Sequence, residues 1–440
     1  MKYTLILLSL FILLSCSTSD LLEGYSSRPE SNYKFSIIQG STTETTTLIR
    51  VVYPKAIKVK YSISDSTGKP HKFKIKASFS RSFSPFKVDH IKIDKLTLGK
   101  TYRIEVKSNQ KKWNDERYFR TLNTNKRYYK ILVASCMNDS YNEVGNNIWP
   151  KAFAHKPDLS FLIGDNIYAD TFSGIYLGSY GVVGPSHLWN RYIDHAMSMK
   201  LYRMKNLTPT YVTWDDHDFG QNDGGKDYKY KNEAKKLLNI FFPREESLNY
   251  NFGPGVSSHL NLGGINFLFL DNRSFRASKK ELSGPHFGKE QRKWINKIVT
   301  SNEVNLLISG DQFFGHYHPF ESFEGNHTIT FSQFLKDIKN SKGKVAFLSG
   351  DRHLIEVMKI PSERVGYKTF EYTVSGIHTK MYPGSLSRDK NPLRIDGLDG
   401  VPNYAIFDLE KNENALSIKF KGFSLKGKEI ETQQTLFYKN

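Results

Sequence analysis

Short apolar runs in this chain keep ending in residues that can hold a metal ion or move a proton. Run 131–134 is followed by Ser135-Cys136, run 159–163 by Gly164-Asp165, and run 211–213 by Trp214-Asp215-Asp216-His217-Asp218. Run 265–270 leads to Asp271, run 304–308 to Gly310-Asp311, and run 345–348 to Gly350-Asp351-Arg352-His353. A single Asp after a strand is ordinarily a turn former or a helix cap. Six such endings, with two His and a lone Cys among them, are more than capping requires. They also sit where α/β sheets place their ligand crevice, at the carboxyl ends of strands.

The residue types fit hydrolysis of a phosphate ester. That reaction needs negative charge neutralised on the phosphoryl oxygens and a water made nucleophilic at neutral pH, and two metal ions bridged by a carboxylate supply both. Asp165 is the expected bridge. Tyr168, three residues on, can fold back as a phenolate, and Cys136 can act as a thiolate. A thiolate, phenolate, imidazole and carboxylate set suits ferric iron or zinc. An oxygen-rich second position built from Asp216 and Asp351 suits calcium, magnesium or manganese.

The elements that must carry these residues can be read from pattern. From residue 123 onward, strand-like runs alternate with stretches of helical composition, which reads as an α/β domain over 123–440. Helices are expected at 186–204, 232–242 and 289–300, and strands return after Tyr367. Residues 35–122 instead hold short alternating runs at 47–52, 57–64, 72–78, 88–93 and 102–108, which suggests a small β-sandwich. Its stretch 93–106 resembles the corner of fibronectin type III-like domains, with Tyr102 as the corner tyrosine.

Ahead of both, Lys2 precedes an apolar run 5–14 and then Ser15-Cys16. Ten apolar residues suit a signal-peptide core and are too few for a permanent span. Ser15-Cys16 resembles a bacterial lipobox. Residues 1–16 are therefore expected to be a lipoprotein signal, Cys16 the lipidated residue, and polar 17–34 a flexible linker. Formal net charge is +19, but the lysines are spread along the chain with no nucleic-acid-binding motif. A basic surface draws in phosphate esters, small molecules or phosphodiester polymers alike.

GDNIY (164–168), WDDHD (214–218) and GDRH (350–353), preceded by SC (135–136), resemble the PhoD-like alkaline phosphatase/phosphodiesterase family of metallophosphoesterases. FRT (119–121) and LDNR (270–273) are similar to it as well. The resemblance implies an α/β (α+β) sandwich of two mixed sheets flanked by helices, behind the fibronectin/Ig-like sandwich. It implies Fe3+ on Cys136, Asp165, Tyr168 and His353, and Ca2+ on Asp165, Asp216 and Asp351 with Asn222. Zn2+, Mn2+ or Mg2+ are the alternatives. His217 would protonate the leaving oxygen or bind the phosphate, and Arg273 or Arg352 would clamp phosphoryl oxygens. His378 precedes Thr379 here, the reverse of the more frequent family order. His316 and His318 either bind metal or sit at the rim, and Gln291 and Trp294 read as packing.

The expected protein is thus a monomeric, lipid-anchored phosphoesterase of a bacterial envelope, and Ser17 after the cysteine, by resemblance to Gram-negative lipoproteins, implies the outer membrane. The alternative is an adhesion lipoprotein whose hydrolase domain has degenerated, and its mark would be missing ligands.

Overall fold

The computed structural model describes residues 35–110, 113–141, 147–172, 175–176, 182–300 and 303–438. Cys16 and the expected linker 17–34 lie outside them.

An apolar run without alternation must be covered on both faces when it forms a strand. Tyr128–Ala134 is covered in this way: Ile131 and Val133 enter one core cluster, Leu132 and Ala134 another. Leu159–Ile163 and Thr210–Thr213 run parallel beside it. Asn403–Lys411, Ala415–Ser424 and Glu429–Phe437 extend the same sheet antiparallel to six strands. In a second, eight-stranded sheet, Ile265–Phe269, Val304–Ile308, Lys344–Ser349 and Thr369–Val374 are parallel at the centre. Antiparallel strands flank them on both sides.

The two sheets face each other across a shared core. Phe161 of the first meets Phe267 and Phe269 of the second edge-on, with ring centroids 5.2 and 4.9 Å apart. Their outer faces carry helices. Pro185–Ser198 and Lys231–Phe241 cover the six-stranded sheet, and Lys289–Val299 and Thr328–Asn340 cover the eight-stranded one. The result is a mixed α/β fold of two mixed sheets between helices, and within each sheet the strands that lead to the site are parallel.

Residues 36–120 form two four-stranded antiparallel sheets with their own core of Ile37, Ile49, Val51, Ile91, Ile104, Val106 and Phe119. This region is not detached from the rest. Ile38, Val52 and Val88, on the opposite face of one sheet, pack in the same cluster as Trp189 and Phe241. Arg50, fully buried, stacks 4.7 Å over the Tyr202 ring. The Tyr102 hydroxyl accepts the Thr97 N–H at 2.8 Å, and its ring stacks on Phe119.

Three elements differ from the expectation. The helix expected at 186–204 ends at Ser198, where Met199 turns extended, and a short 3-10 turn Lys200–Arg203 brings Leu201 and Tyr202 into the core. Ser36–Thr42 forms a strand although it is largely polar, because its buried Gln39 side chain donates to Thr42, Thr47 and the Arg120 carbonyl. Asp115–Arg120 is a strand despite its charges, since Arg117 and Phe119 turn inward and Arg117 is neutralised by Asp115.

Candidate metal centre

Glycines let the strand ends converge. A Cβ on Gly164 would lie 2.9 Å from the Asp215 Cβ and 3.0 Å from the Gly310 Cα. On Gly310 it would lie 2.6 Å from the Trp214 carbonyl, and on Gly350 2.7 Å from the Gly310 carbonyl. These three glycines, one per strand, form a contact where only backbone fits. The residues beside this contact are strained: Cys136, Asp165, Asp351 and His353 all have positive φ, between 51° and 67°. L-residues adopt this conformation only where the surroundings impose it, and such residues gather at functional sites.

The strain brings donor atoms together. The Cys136 thiol donates to Asp165 Oδ2 at 3.4 Å, and the Tyr168 hydroxyl donates to the same oxygen at 3.2 Å. Tyr168 Oη also lies 3.2 Å from His353 Nε2. Cys136, Asp165 and His353 offer ligand atoms within 4.8 Å of one another, and so do Asp165, Asp216 and His217. Asp216 belongs in addition to a third such group with Asp223 and Glu321. Asp165 therefore joins the sulfur-containing group to the carboxylate one.

Electrostatics set these groups apart from ordinary ion pairs. Burial, and then the charges of Asp216, Asp218 and Asp351, push the Asp165 carboxyl well up, with His217 opposing. Burial and Asp216 raise Asp351 to about 7. Asp216 is the member held low: burial opposes its charge, but His217, Arg273 and the Asp223 N–H outweigh it. Burial raises the Cys136 thiol and the Tyr168 phenol, and Asp165 adds to both. The His353 imidazole is lowered to about 4 by burial and the nearby His217, so at neutral pH it is uncharged and able to ligate. Like charges crowded out of water are unfavourable unless a cation joins them.

His217 behaves oppositely. Burial works against its charged form, yet Asp170, Asp216 and Asp165 together raise it well above the ordinary value. Its Nδ1 sits 2.6 Å from Asp170, which also accepts the Asn222 N–H at 2.7 Å. Its ring stacks on Tyr168 with centroids 4.0 Å apart.

A cleft of about 610 Å³ opens onto these residues, lined among others by Asp165, Asp216, His217, Asn222, Asp351, Arg352 and His353. Arg273 does not line it. Its buried guanidinium is taken by Asp215 and by Glu321, so it anchors carboxylates and is not a clamp on substrate. Asn222 is at the cleft, where its side-chain amide donates to Asp223.

Not every strand-end acid reaches the site. Asp271 accepts from Trp214 Nε1 and from backbone N–H groups of Val256, Arg273 and Ser274. Asp311 is bound by Arg276, and Asp215 caps the turn Asp216–Phe219. His316 is exposed, His318 is bonded to Gln312, and His378 is buried against Trp149 with Nδ1 on the Asn138 carbonyl. None of the three enters a donor group. Gln291 holds the Asp271 backbone, with Oε1 accepting the N–H and Nε2 donating to the carbonyl.

Sequence reasoning missed Asp170, Asp223 and Glu321. Asp170 had a signal, since it comes soon after Asp165 within GDNIYAD. Glu321 had none, arriving on a loop after Pro319. Asp223 and Glu321 already have cations, Lys279 on the first and Arg273 and Arg276 on the second.

Sheets packed between helices, with donors at the carboxyl ends of parallel strands, define a mixed α/β protein with candidate metal-ligand groups. The chain is similar to the solved structure of PhoD, with a TM-score of 0.68 at 16% identity, over 94% of this chain and 92% of that one. The likeness at that identity is one of fold. A sensor domain of an anti-sigma factor in Pseudobacteroides cellulosolvens matches 20% of this chain and 90% of that one at 18% identity, with a TM-score of 0.16. Amylomaltase from Corynebacterium glutamicum matches 29% of this chain and 21% of that one at 11% identity, with a TM-score of 0.17, and neither bears on the fold. No family model and no curated protein matches the chain.

Proposed function

We propose that this protein is a metal-dependent phosphoesterase of PhoD-like type, acting on phosphate mono- or diesters. The observation that carries the reading is Asp165, which lies within ligand reach of Cys136 and His353 on one side and of Asp216 on the other, with Asp165, Asp216, His217 and His353 lining one cleft. The PhoD fold supports it. The donor chemistry fits two kinds of cation. Cys136, Asp165, Tyr168 and His353 suit ferric iron or zinc, and Asp165, Asp216 and Asp351 with Asn222 suit calcium, magnesium or manganese. Bound ions would supply charge neutralisation and an acidified water.

The chain's own residues do the rest. Asp165 holds the two positions in register. Asp170 keeps His217 protonated and oriented, so that its other nitrogen can donate to the leaving oxygen. Hydrolysis breaks the P–O bond to the leaving group, and water's oxygen takes that place on phosphorus. His217 gives its proton to the leaving oxygen and recovers one from the water. Arg352 lines the cleft with its guanidinium paired to Asp389, and brings positive charge to the phosphoryl group.

We read the N-terminal sheets as a fibronectin III-like module and Cys16 as a lipid anchor to a bacterial envelope, with the folded part monomeric. Metal analysis of protein purified without chelator, paired with hydrolysis of one monoester and one diester, tests the enzyme. Metal-free protein, or metal-loaded protein inert on both esters, would refute it and favour the adhesion alternative. Cys16→Ser should release the protein from membranes, and retention after a carbonate wash would count against the anchor.

A further inference from the structure

Large apolar side chains left in water call for an explanation when they gather at a site. Of those exposed among the described residues, two line the donor cleft: Phe320, 48% exposed, and Tyr382, 44% exposed. They come from separate loops, and each is backed by a residue next to the donor groups. The Arg352 guanidinium lies 4.5 Å from the Phe320 ring centroid, and the His353 ring stacks parallel to Tyr382 at 5.7 Å. Asp389, itself buried, fixes this wall by accepting from Arg352 Nη2 at 3.0 Å and from Arg388 Nε at 3.0 Å. Arg388 in turn lies 6.0 Å from the Phe320 ring.

The chemistry of the wall narrows what it can hold. A polyol or small alkyl ester would leave both rings uncovered. A long acyl chain needs continuous apolar surface, and here charged Arg388, Lys279 and Asp223 also line the cleft. A planar ring covers an aromatic face by stacking, and a nucleobase also offers edge atoms that Arg388 can hydrogen-bond.

We propose that Phe320 and Tyr382 form a leaving-group subsite that selects esters whose alcohol carries a planar ring, nucleoside phosphodiesters being the class that fits best. This rests on the phosphoesterase reading of the same cleft. The test compares kcat/KM for a dinucleoside monophosphate with kcat/KM for glycerophosphoglycerol, using the full metal-loaded protein. Because both are diesters, their ratio cancels any general damage to the centre. Phe320→Leu and Tyr382→Leu should each lower that ratio about five- to tenfold, mainly through KM, since stacking on an aromatic side chain is lost. Tyr382→Phe, which keeps the ring, should retain it.

A ratio unmoved by both Leu variants overturns the subsite while leaving the hydrolase intact. Wild-type preference for a lysophospholipid over the dinucleotide, lost in the same variants, assigns the wall to acyl chains and also overturns it. A wild type that hydrolyses none of these esters has a different signature, and removes the phosphoesterase reading together with the subsite.

Discussion

The N-terminal sheets and the strand-end site bury polar groups by opposite rules. In the sheets, buried Asp89 receives hydroxyl protons from Tyr53 and Tyr61 at 2.7 and 2.8 Å and from Ser78. Within 35–122 the described non-glycine residues have one positive φ, at Lys95. At the site, carboxylates face carboxylates, and Cys136, Asp165, Asp223, Asp351 and His353 are all held at positive φ. The scaffold meets its buried carboxylate Asp89 with hydroxyl donors and keeps relaxed backbone. A site tolerates unmet charge and strain, and the rest of the fold holds it in place.

The largest effect expected from this contrast is on Asp165. Asp165→Asn should lower kcat/KM by at least about a thousandfold, since both donor groups lose their shared charge. In metal-free protein its thermal stability should be no lower than that of the wild type, because removing one of several crowded charges relieves repulsion. Kinetics, metal content and a melting curve read all three, and near-normal kcat would misplace the site.

Next comes the glycine contact. Gly310→Ala must push against the Trp214 carbonyl, so a loss of about 3 kcal/mol and a hundredfold fall in kcat are expected. Gly68, in a turn of the sheets, has φ +86 with nothing within 4 Å of an added Cβ. Gly68→Ala should cost about 1 kcal/mol with no change in kcat. Equal costs in urea unfolding would erase the distinction between the regions.

A pH dependence is expected from Glu371, which accepts the N–H groups of Phe313 and Phe314 and is raised to about 7 by burial. The folded protein then binds this proton more tightly than the unfolded chain. Stability from this group should fall as pH rises from about 4.5 to 7, by on the order of 3 kcal/mol, and level off above. Denaturation at pH 5 and pH 8 should show a smaller difference in Glu371→Gln than in wild type. The smallest effect is Tyr102→Phe, which leaves the Thr97 N–H without its acceptor. A loss of about 1 kcal/mol with unchanged kcat/KM is expected from denaturation and assay together.

The strands of the centre were legible because each is an apolar run closed by Gly or a polar residue, a pattern that parallel strands covered on both faces impose. Cys136, Asp165, Tyr168 and His353 were named together through the resemblance of their motifs, and the structure brings their polar atoms within hydrogen-bond reach of one another. Arg273 was not, since a guanidinium reads alike as a clamp or a carboxylate anchor until its burial beside Asp215 and Glu321 is seen. Asp271 and Asp311 looked equivalent to Asp165 for the same reason: only tertiary contacts tell a cap from a ligand. The strand Asp115–Arg120 escaped because its inward residues are a paired Arg and one Phe, not an alternating apolar set.

The Cys136 thiol lies 3.1 Å from the Ser375 hydroxyl, a partner 239 residues further along the chain. Contacts of such separation form late, because the loop between them must first be closed against its entropy. Neither sheet alone can assemble the donor set. During refolding, regain of ligand affinity should therefore lag behind secondary structure and coincide with the slowest phase, so that cation capture clocks the last event of folding.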